Sequence, residues 1–132
     1  MPDTATLLKL MPFAASVGIR LTQATREQVV GTLDWAEERC TAGGILHGGA
    51  LMALADSVGG VCAYLNLPSG AATSTIESKT NFFRGVRSGQ VTATAHPLHV
   101  GGRTIVVHTE IRDTDEKLVA LIIQTQAVLH SR

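Results

Sequence analysis

A chain of 132 residues with 45% hydrophobic and 17% charged side chains can bury a substantial core, which excludes an intrinsically disordered protein. We expect one domain that spans residues 1–132. Eleven basic and eleven acidic side chains balance, so electrostatics favours neither nucleic acid nor an anionic membrane as a partner. Two cysteines, Cys40 and Cys62, are too few for a disulfide scaffold or a cysteine-rich zinc site.

The N-terminal segment carries Asp3 near its start and lacks the apolar core of a secretory signal. No apolar stretch approaches the ~20 residues of a membrane span, so we expect a cytoplasmic protein without a membrane partner. His96 and His99 are close in the sequence, but no HxxxH motif or Cys/His cluster accompanies them. We therefore predict no metal site and no resident cofactor.

The first predicted elements are short. Residues 4–11 carry apolar side chains at helical spacing, and Pro12 ends or turns this helix. Three segments follow before the glycine-rich turn, namely strands over 17–21 and 28–35 and a polar loop over 37–44.

A long helix is predicted from His47 or Gly48 to about Asn66. Its large apolar residues form one stripe, and small residues replace the Lys and Glu of a solvated face elsewhere. Such a helix is buried on most sides. Because mid-helix glycine costs about 1 kcal/mol against alanine, we expect another backbone to approach the Gly59-Gly60 pair closely. The stripe consists of Leu51, Leu54, Ala55, Val58, Cys62 and Leu65, and the small residues are Ala53, Gly59, Gly60 and Ala63.

The rest of the chain is β-branched and alternating, with turn residues between the runs. Gly101-Gly102 marks a tight hairpin, and short turns imply antiparallel neighbours. We predict an α+β fold in which an antiparallel sheet of five or six strands wraps around one long central helix. The small-residue side of the helix and the sheet edges then need cover, which predicts a dimer. The four predicted strands are 73–83, 90–100, 103–113 and 118–129.

The glycine-rich turn that ends at Gly48-Gly49 leads directly into this helix, which carries Asp56 about two turns further on. Free backbone N–H groups at a helix start can hold a developing negative charge, and a carboxylate can act as a base or nucleophile. The segment therefore predicts an oxyanion site and a reactive carboxylate. His47 could be a base, a ligand or a cap, and a structural or capping role is favoured.

A second polar pattern occupies residues 75–84. Alternation places Thr75, Glu77, Lys79 and Asn81 on one strand face and Ile76 and Phe82 on another. Such a polar face lines a cleft beside the helix or is simply solvated, and periodicity does not choose between them.

These motifs resemble those of the hotdog-fold acyl-CoA thioesterases of the phenylacetate-pathway (PaaI-like) type, which include enzymes like thioesterase superfamily member 2. The resemblance covers nearly the whole chain from Pro12 onward and implies dimers with active sites at the subunit interface, which often associate into tetramers. It also implies hydrolysis of acyl-CoA thioesters, with CoA as part of the substrate. The motifs that carry it are Leu46-His47-Gly48-Gly49, Leu54-Ala55-Asp56 and Thr75-x-Glu77-x-Lys79-x-Asn81-Phe82-x-Arg84.

By this resemblance, Asp56 is the catalytic nucleophile or general base, and the Gly48 N–H polarises the thioester carbonyl. His47 orients the substrate, and the hydroxyl of Thr75 helps to place a water from across the interface. Thr41 stands where many relatives have Asn, which leaves its share in positioning the carbonyl or water open. Gly85 replaces a common proline, which should affect only the turn.

The acyl group is not named by the sequence. Its expected walls are Met52, Val58, Tyr64, Phe82 and Phe83, with Gly49 beside the helix start. The nucleotide of CoA needs local cations, because the net charge is zero. Arg suits phosphate through bidentate pairing, and Arg84, Arg87 and Arg103 are the candidates.

Two other functions compete with the thioesterase interpretation. One is a hotdog hydratase or dehydratase, although Asp56 on the helix is the thioesterase arrangement. The other is a non-catalytic acyl-CoA-binding protein. Release of free CoA that requires Asp56, hydration of an alkene, and saturable binding without turnover distinguish the three.

Overall fold

The computed structural model describes residues 2–131 as one antiparallel sheet folded against a single long helix, with two short helices at the start. The strand order is β1-β2-β4-β5-β6-β3, so β1 and β3 are the edges. The α+β prediction and its six strands are confirmed. The elements are α1 (Thr4–Lys9), α2 (Pro12–Val17), β1 (Arg20–Ala24), β2 (Val29–Asp34), α3 (Gly48–Leu65), β3 (Ala72–Phe82), β4 (Gln90–Val100), β5 (Thr104–Arg112) and β6 (Leu118–Leu129).

The core lies between α3 and the concave face of the sheet. Alternate residues are buried there in β4 up to Ala95, along β5 and along β6 from Ala120, as expected for strands with one covered face. All six residues of the predicted apolar stripe of α3 are buried, Cys62 completely. Burial raises the pKa of the Cys62 thiol to about 11, so this cysteine acts as a small hydrophobic side chain.

Helix α3 begins and ends where local chemistry predicts. His47 is its N-cap, and Asn66 is its C-cap just before Pro68. By length and mean hydropathy this helix could cross a membrane, contrary to the expectation that no stretch comes close. Half of it is buried within the protein, as befits a core helix.

The N-terminal region differs from the prediction. Val17 ends a second helix, α2, instead of starting a strand, and β1 begins only at Arg20. Pro12 is the first residue of this helix. Gly18 caps its C-terminal end and adopts the left-handed conformation, with φ 98°. Proline at the start and glycine after the end favour a helix, and this pairing outweighed the β-branched run.

The small-residue side of α3 is also covered differently from the expectation. Gly59 and Ala63 are buried within the chain, so they need no second copy to cover them. The group against Gly59 is the side-chain amide of Gln124 on β6, not another backbone. Gly60 faces open space.

A β-bulge at Ile76 changes the face assignment on β3. Thr75 pairs with Gln126 on the concave side, but Glu77 already pairs with Thr125 on the convex side. The extra residue shifts the alternation by one position, so the predicted common polar face of Thr75 with Glu77 does not exist. Thr75 and Phe82 lie toward α3, whereas Glu77, Lys79 and Asn81 lie on the outer surface.

Candidate active site

Asp56 extends from the third turn of α3 toward β3 and β6. Its Oδ1 accepts hydrogen bonds from Thr75 Oγ1 at 2.8 Å and from Gln124 Nε2 at 3.0 Å. Oδ2 has no protein donor among residues 2–131. The carboxylate is therefore held by one oxygen and presents the other.

Two buried glutamines of β6 continue this network. Gln126 Oε1 accepts from Gln124 Nε2 at 2.9 Å and contacts Thr75 Oγ1 at 2.6 Å, and Gln126 Nε2 donates to Thr73 Oγ1 at 3.1 Å. All the groups that donate to Asp56 are neutral. Sequence reasoning missed both glutamines, although polar residues at inward positions of an apolar strand were a usable signal.

Thr75 reaches Asp56 within one chain. The resemblance implied that this hydroxyl comes across the subunit interface, and the contact at 2.8 Å places it on the same copy. The bulge at Ile76 makes this contact possible, because it leaves Thr75 on the concave face.

The start of α3 forms the second half of the site. His47 Nδ1 accepts from the Gly49 N–H at 2.7 Å, which confirms the capping role. An accepting Nδ1 carries no proton, so in the neutral ring Nε2 carries the hydrogen. The Gly48 N–H belongs to the first turn, where helix N–H groups lack intrahelical acceptors. Phe82 lies against Gly48, with Cζ 3.2 Å from where a Cβ would be.

Within one chain these two halves are far apart. Eight residues of helix separate Gly48 from Asp56, a rise of about 12 Å. Each half opens into its own cavity of about 460 Å³, one lined by Asp56 with Thr75 and the other by His47 with Gly49. Phe13 of α2 lines both cavities. A single chain therefore cannot place its oxyanion donor and its carboxylate on one carbonyl, contrary to the expectation from the short segment.

Residues 43–120, more than half of the chain, match the family model described as the thioesterase superfamily. The chain belongs to the thioesterase superfamily. Membership supports hydrolysis of thioesters at the family level.

Solved structures and curated relatives agree with this membership. A thioesterase of Haemophilus influenzae superposes with a TM-score of 0.93 at 27% identity, covering 98% of this chain and 92% of its own. The Escherichia coli PaaI protein from the phenylacetic acid degradation operon superposes with a TM-score of 0.87 at 25% identity, covering 97% and 92%. The 1,4-dihydroxy-2-naphthoyl-CoA hydrolase of Escherichia coli is 37% identical over 86 residues, 65% of this chain and 63% of its own. The resemblance to PaaI-like hotdog thioesterases is confirmed.

The expected acyl walls of this thioesterase divide into two groups. Met52, Tyr64, Phe82 and Phe83 are exposed and available to a ligand, and Tyr64 lines the Asp56 cavity. Val58 is fully buried, so its assignment as a wall is wrong. Its side chain lies against Gly31 of β2, on the opposite side of α3 from the site.

Thr41 and the arginines are placed by the loops around α3. The Thr41 N–H donates to the Ile45 carbonyl, and its exposed side chain lies in the loop that precedes the helix.

Arg87 Nη1 donates to the Gly43 carbonyl at 3.0 Å, so Arg84 and Arg87 lie near the helix start. Arg103 lies at the other end of the sheet, about 27 Å away by the eight-residue rise of β5. Within one chain the three arginines cannot form one nucleotide site.

Metal chemistry has no candidate centre in the part of the chain from residue 2 to residue 131. No group of three or more His, Cys, Asp or Glu side chains there could hold a metal ion. The reactive groups of the site are thus the carboxylate, the imidazole, the hydroxyl and the backbone N–H groups already described.

Proposed function

We propose that the protein hydrolyses acyl-CoA thioesters to the free acid and CoA. The observation that carries this proposal is the Asp56 carboxylate, held through Oδ1 by two neutral donors and open at Oδ2 beside a cavity of about 460 Å³. Thioesterase membership supplies the reaction class, and the relative named as a CoA hydrolase supports CoA as the carrier. CoA enters as substrate, so the reaction requires no resident cofactor.

Asp56 Oδ2 has two routes to the products. As a nucleophile it attacks the thioester carbonyl carbon and expels the CoA thiolate, and water then hydrolyses the mixed anhydride. As a general base it takes a proton from the water that attacks the same carbon. On either route the carbonyl oxygen gains negative charge, which the Gly48 N–H and the His47 Nε2–H are suited to stabilise.

We infer that a second copy completes the site. Because Gly48 and Asp56 of one chain are about 12 Å apart along α3, the donors that meet Asp56 come from another copy. The 11-residue β3 is a free sheet edge in the described part of the chain, and an edge of this length is suited to pairing with its own copy. Exposed apolar side chains surround it, namely Phe13, Ile76, Phe82 and Phe83. Association of such dimers into tetramers and a cytoplasmic location belong to the same proposal.

A panel of aryl-CoA and aliphatic acyl-CoA thioesters, with a thiol reagent to detect free CoA, tests the reaction. We expect release of CoA from at least one class, and the ratio of kcat/KM values identifies the acyl preference. Hydration of an enoyl-CoA without CoA release would instead indicate a hydratase. Saturable binding with no turnover of any substrate would indicate a binding protein.

Gly48→Pro isolates the oxyanion donor. Proline is tolerated at the first helical position and removes the N–H, and the extended φ −62°, ψ 134° of His47 suits the residue before proline. Gly48→Ala adds the same Cβ beside Phe82 but keeps the N–H. We expect Gly48→Pro to lower kcat about 100-fold relative to Gly48→Ala. Equal activity of the two variants would remove this N–H from the mechanism.

Mixing two inactive variants tests the shared site. Asp56→Asn and Gly48→Pro copies that exchange subunits form mixed dimers in which one of the two sites has neither defect. We expect about a quarter of the wild-type rate from an equal mixture. No recovery, after exchange has been demonstrated by mass spectrometry of tagged copies, would show that both groups act within one chain.

A further inference from the structure

Gln124 and Gln126 are the feature of the fold that the reaction so far does not explain. Both amides are buried in the middle of β6, where the neighbouring inward residues Ile122 and Val128 are apolar. An amide buried without a hydrogen bond costs about 1–3 kcal/mol, so a core position is normally filled by an apolar residue.

The hydrogen bonds of Gln124 are directed at Asp56. Its two N–H groups donate to Asp56 Oδ1 at 3.0 Å and to Gln126 Oε1 at 2.9 Å. Gln126 in turn donates from Nε2 to Thr73 Oγ1, and its Oε1 lies 2.6 Å from Thr75 Oγ1. The bond to Gln126 therefore orients the Gln124 amide independently of the carboxylate.

The oxygen of the same amide has no donor among residues 2–131. Gln124 Oε1 is buried and unpartnered, and it points at Gly59, where a Cβ would come within 2.0 Å. Rotating the amide by 180° would place Oε1 against Asp56 Oδ1, oxygen against oxygen. The observed orientation therefore supplies a donor to Asp56 Oδ1 at the expense of an unsatisfied carbonyl, and the space for that carbonyl exists because residue 59 has no side chain.

We propose that Gln124 is a positioning residue that fixes Oδ1 of Asp56, so that Oδ2 faces the thioester, and that Gly59 provides the space for its amide. This proposal rests on the proposed function, in which Asp56 Oδ2 is the reacting atom. Fixing a reacting group in its productive geometry lowers the barrier.

Gln124→Leu removes the amide donor and puts an apolar side chain of similar size in its place. We expect kcat to fall about 10- to 100-fold with a smaller change in KM, because the carboxylate is still present but is no longer held in its productive geometry. Gln124→Met makes the same test with a longer side chain and stands in for Gln124→Leu if the latter does not fold.

Gln90→Leu is the matched control. Gln90 Nε2 donates to Asp34 Oδ1 at 2.8 Å, the same kind of pair at a surface position of β4 far from α3's third turn. We expect its kcat and its KM to equal those of the wild type. A wild-type kcat in both Gln124 variants, or an equal loss of kcat in Gln90→Leu, would overturn the positioning role.

Gly59→Ala tests the space for the amide. Its Cβ displaces Gln124, so we expect a loss of kcat similar to that of Gln124→Leu. In a Gln124→Ala background the methyl group that Gly59→Ala introduces meets a vacated space, and we expect no further loss. Losses that add in the double variant would show that Gly59 does not act through Gln124.

Asp56→Asn separates failure of this proposal from failure of the proposed function. If Asp56→Asn keeps its turnover, the proposed function is wrong. If Asp56→Asn is inactive while folded Gln124→Leu and Gln124→Met match the wild type in kcat, only the positioning role is wrong.

Discussion

Two aspartates of this protein accept a hydrogen bond from a glutamine amide, and only one of them is suited to chemistry. Asp34 ends β2 and accepts from Gln90 Nε2 at 2.8 Å, with Arg20 Nη2 at 3.1 Å. Asp56 accepts from Gln124 Nε2 at 3.0 Å, with the Thr75 hydroxyl as its second donor. The local pair is the same, and the second partner differs.

The two aspartates differ in whether a cationic side chain lies beside the carboxylate. The hydrogen bond from Gln90, supported by the charge of Arg20, holds the pKa of Asp34 below its usual range, and the side chain stays an ion-paired part of the surface. No salt bridge to Asp56 is formed within residues 2–131. A carboxylate that is oriented by neutral donors remains free to act on a substrate. A carboxylate beside a guanidinium is already paired with an opposite charge.

The largest expected effect is the loss of kcat when the charge of Asp56 is removed, compared with removal of the charge of Asp34. Asp56→Asn should lower kcat on the order of 10²- to 10⁴-fold, because the base or nucleophile is lost. Asp34→Asn should leave kcat within about twofold of the wild type, because rigid groups remote from the site contribute little to the barrier. Steady-state kinetics with a CoA thioester compares the two.

Retention of more than about a tenth of the wild-type kcat in folded Asp56→Asn would break this comparison. A comparable loss in Asp34→Asn would do so as well, since it would mean that the ion-paired aspartate also supports the reaction.

The two adjacent glycines of α3, of which only Gly59 lies against an amide, are expected to respond oppositely to alanine. Gly59→Ala pushes a Cβ to within 2.0 Å of Gln124 Oε1, and we expect a loss of about 1–2 kcal/mol in the free energy of unfolding. Gly60→Ala meets nothing within 4 Å and should gain up to about 1 kcal/mol from helix propensity. Thermal unfolding followed by circular dichroism measures both, and a gain in Gly59→Ala would contradict tight packing of the amide.

The smallest expected effect is the acid stability that Asp34 contributes. Its folded pKa lies below the ordinary value of 3.8, so the contribution is present above that value and is lost as pH falls through the folded pKa. Asp34→Asn should therefore unfold slightly below the wild type at pH 7, and the gap should close below about pH 4. A gap that persists at pH 2 would show that the carboxylate acts through packing and not through charge.

Some elements follow directly from local patterns. The bounds of β4 and β6 were predicted to the residue, because each run of strand-forming residues lies between clear turn signals. The start of α3 at Gly48 follows from its cap, and its buried face follows from the apolar stripe. In the N-terminal region two local signals conflict, and the Pro12 to Gly18 helix was missed.

The sequence by itself determined the fold class, the buried face of α3, the capping histidine and, through its motifs, the thioesterase family. The tertiary structure alone decided that Thr75 meets Asp56 within one chain, because one bulged residue at Ile76 reverses the faces of β3. It also decided that Gln124 covers Gly59 and that Arg103 lies far from Arg84. Periodicity along a chain encodes which side of an element is buried, but the pairing of residues 68 positions apart, such as Asp56 and Gln124, depends on strand register and helix packing that no local window contains.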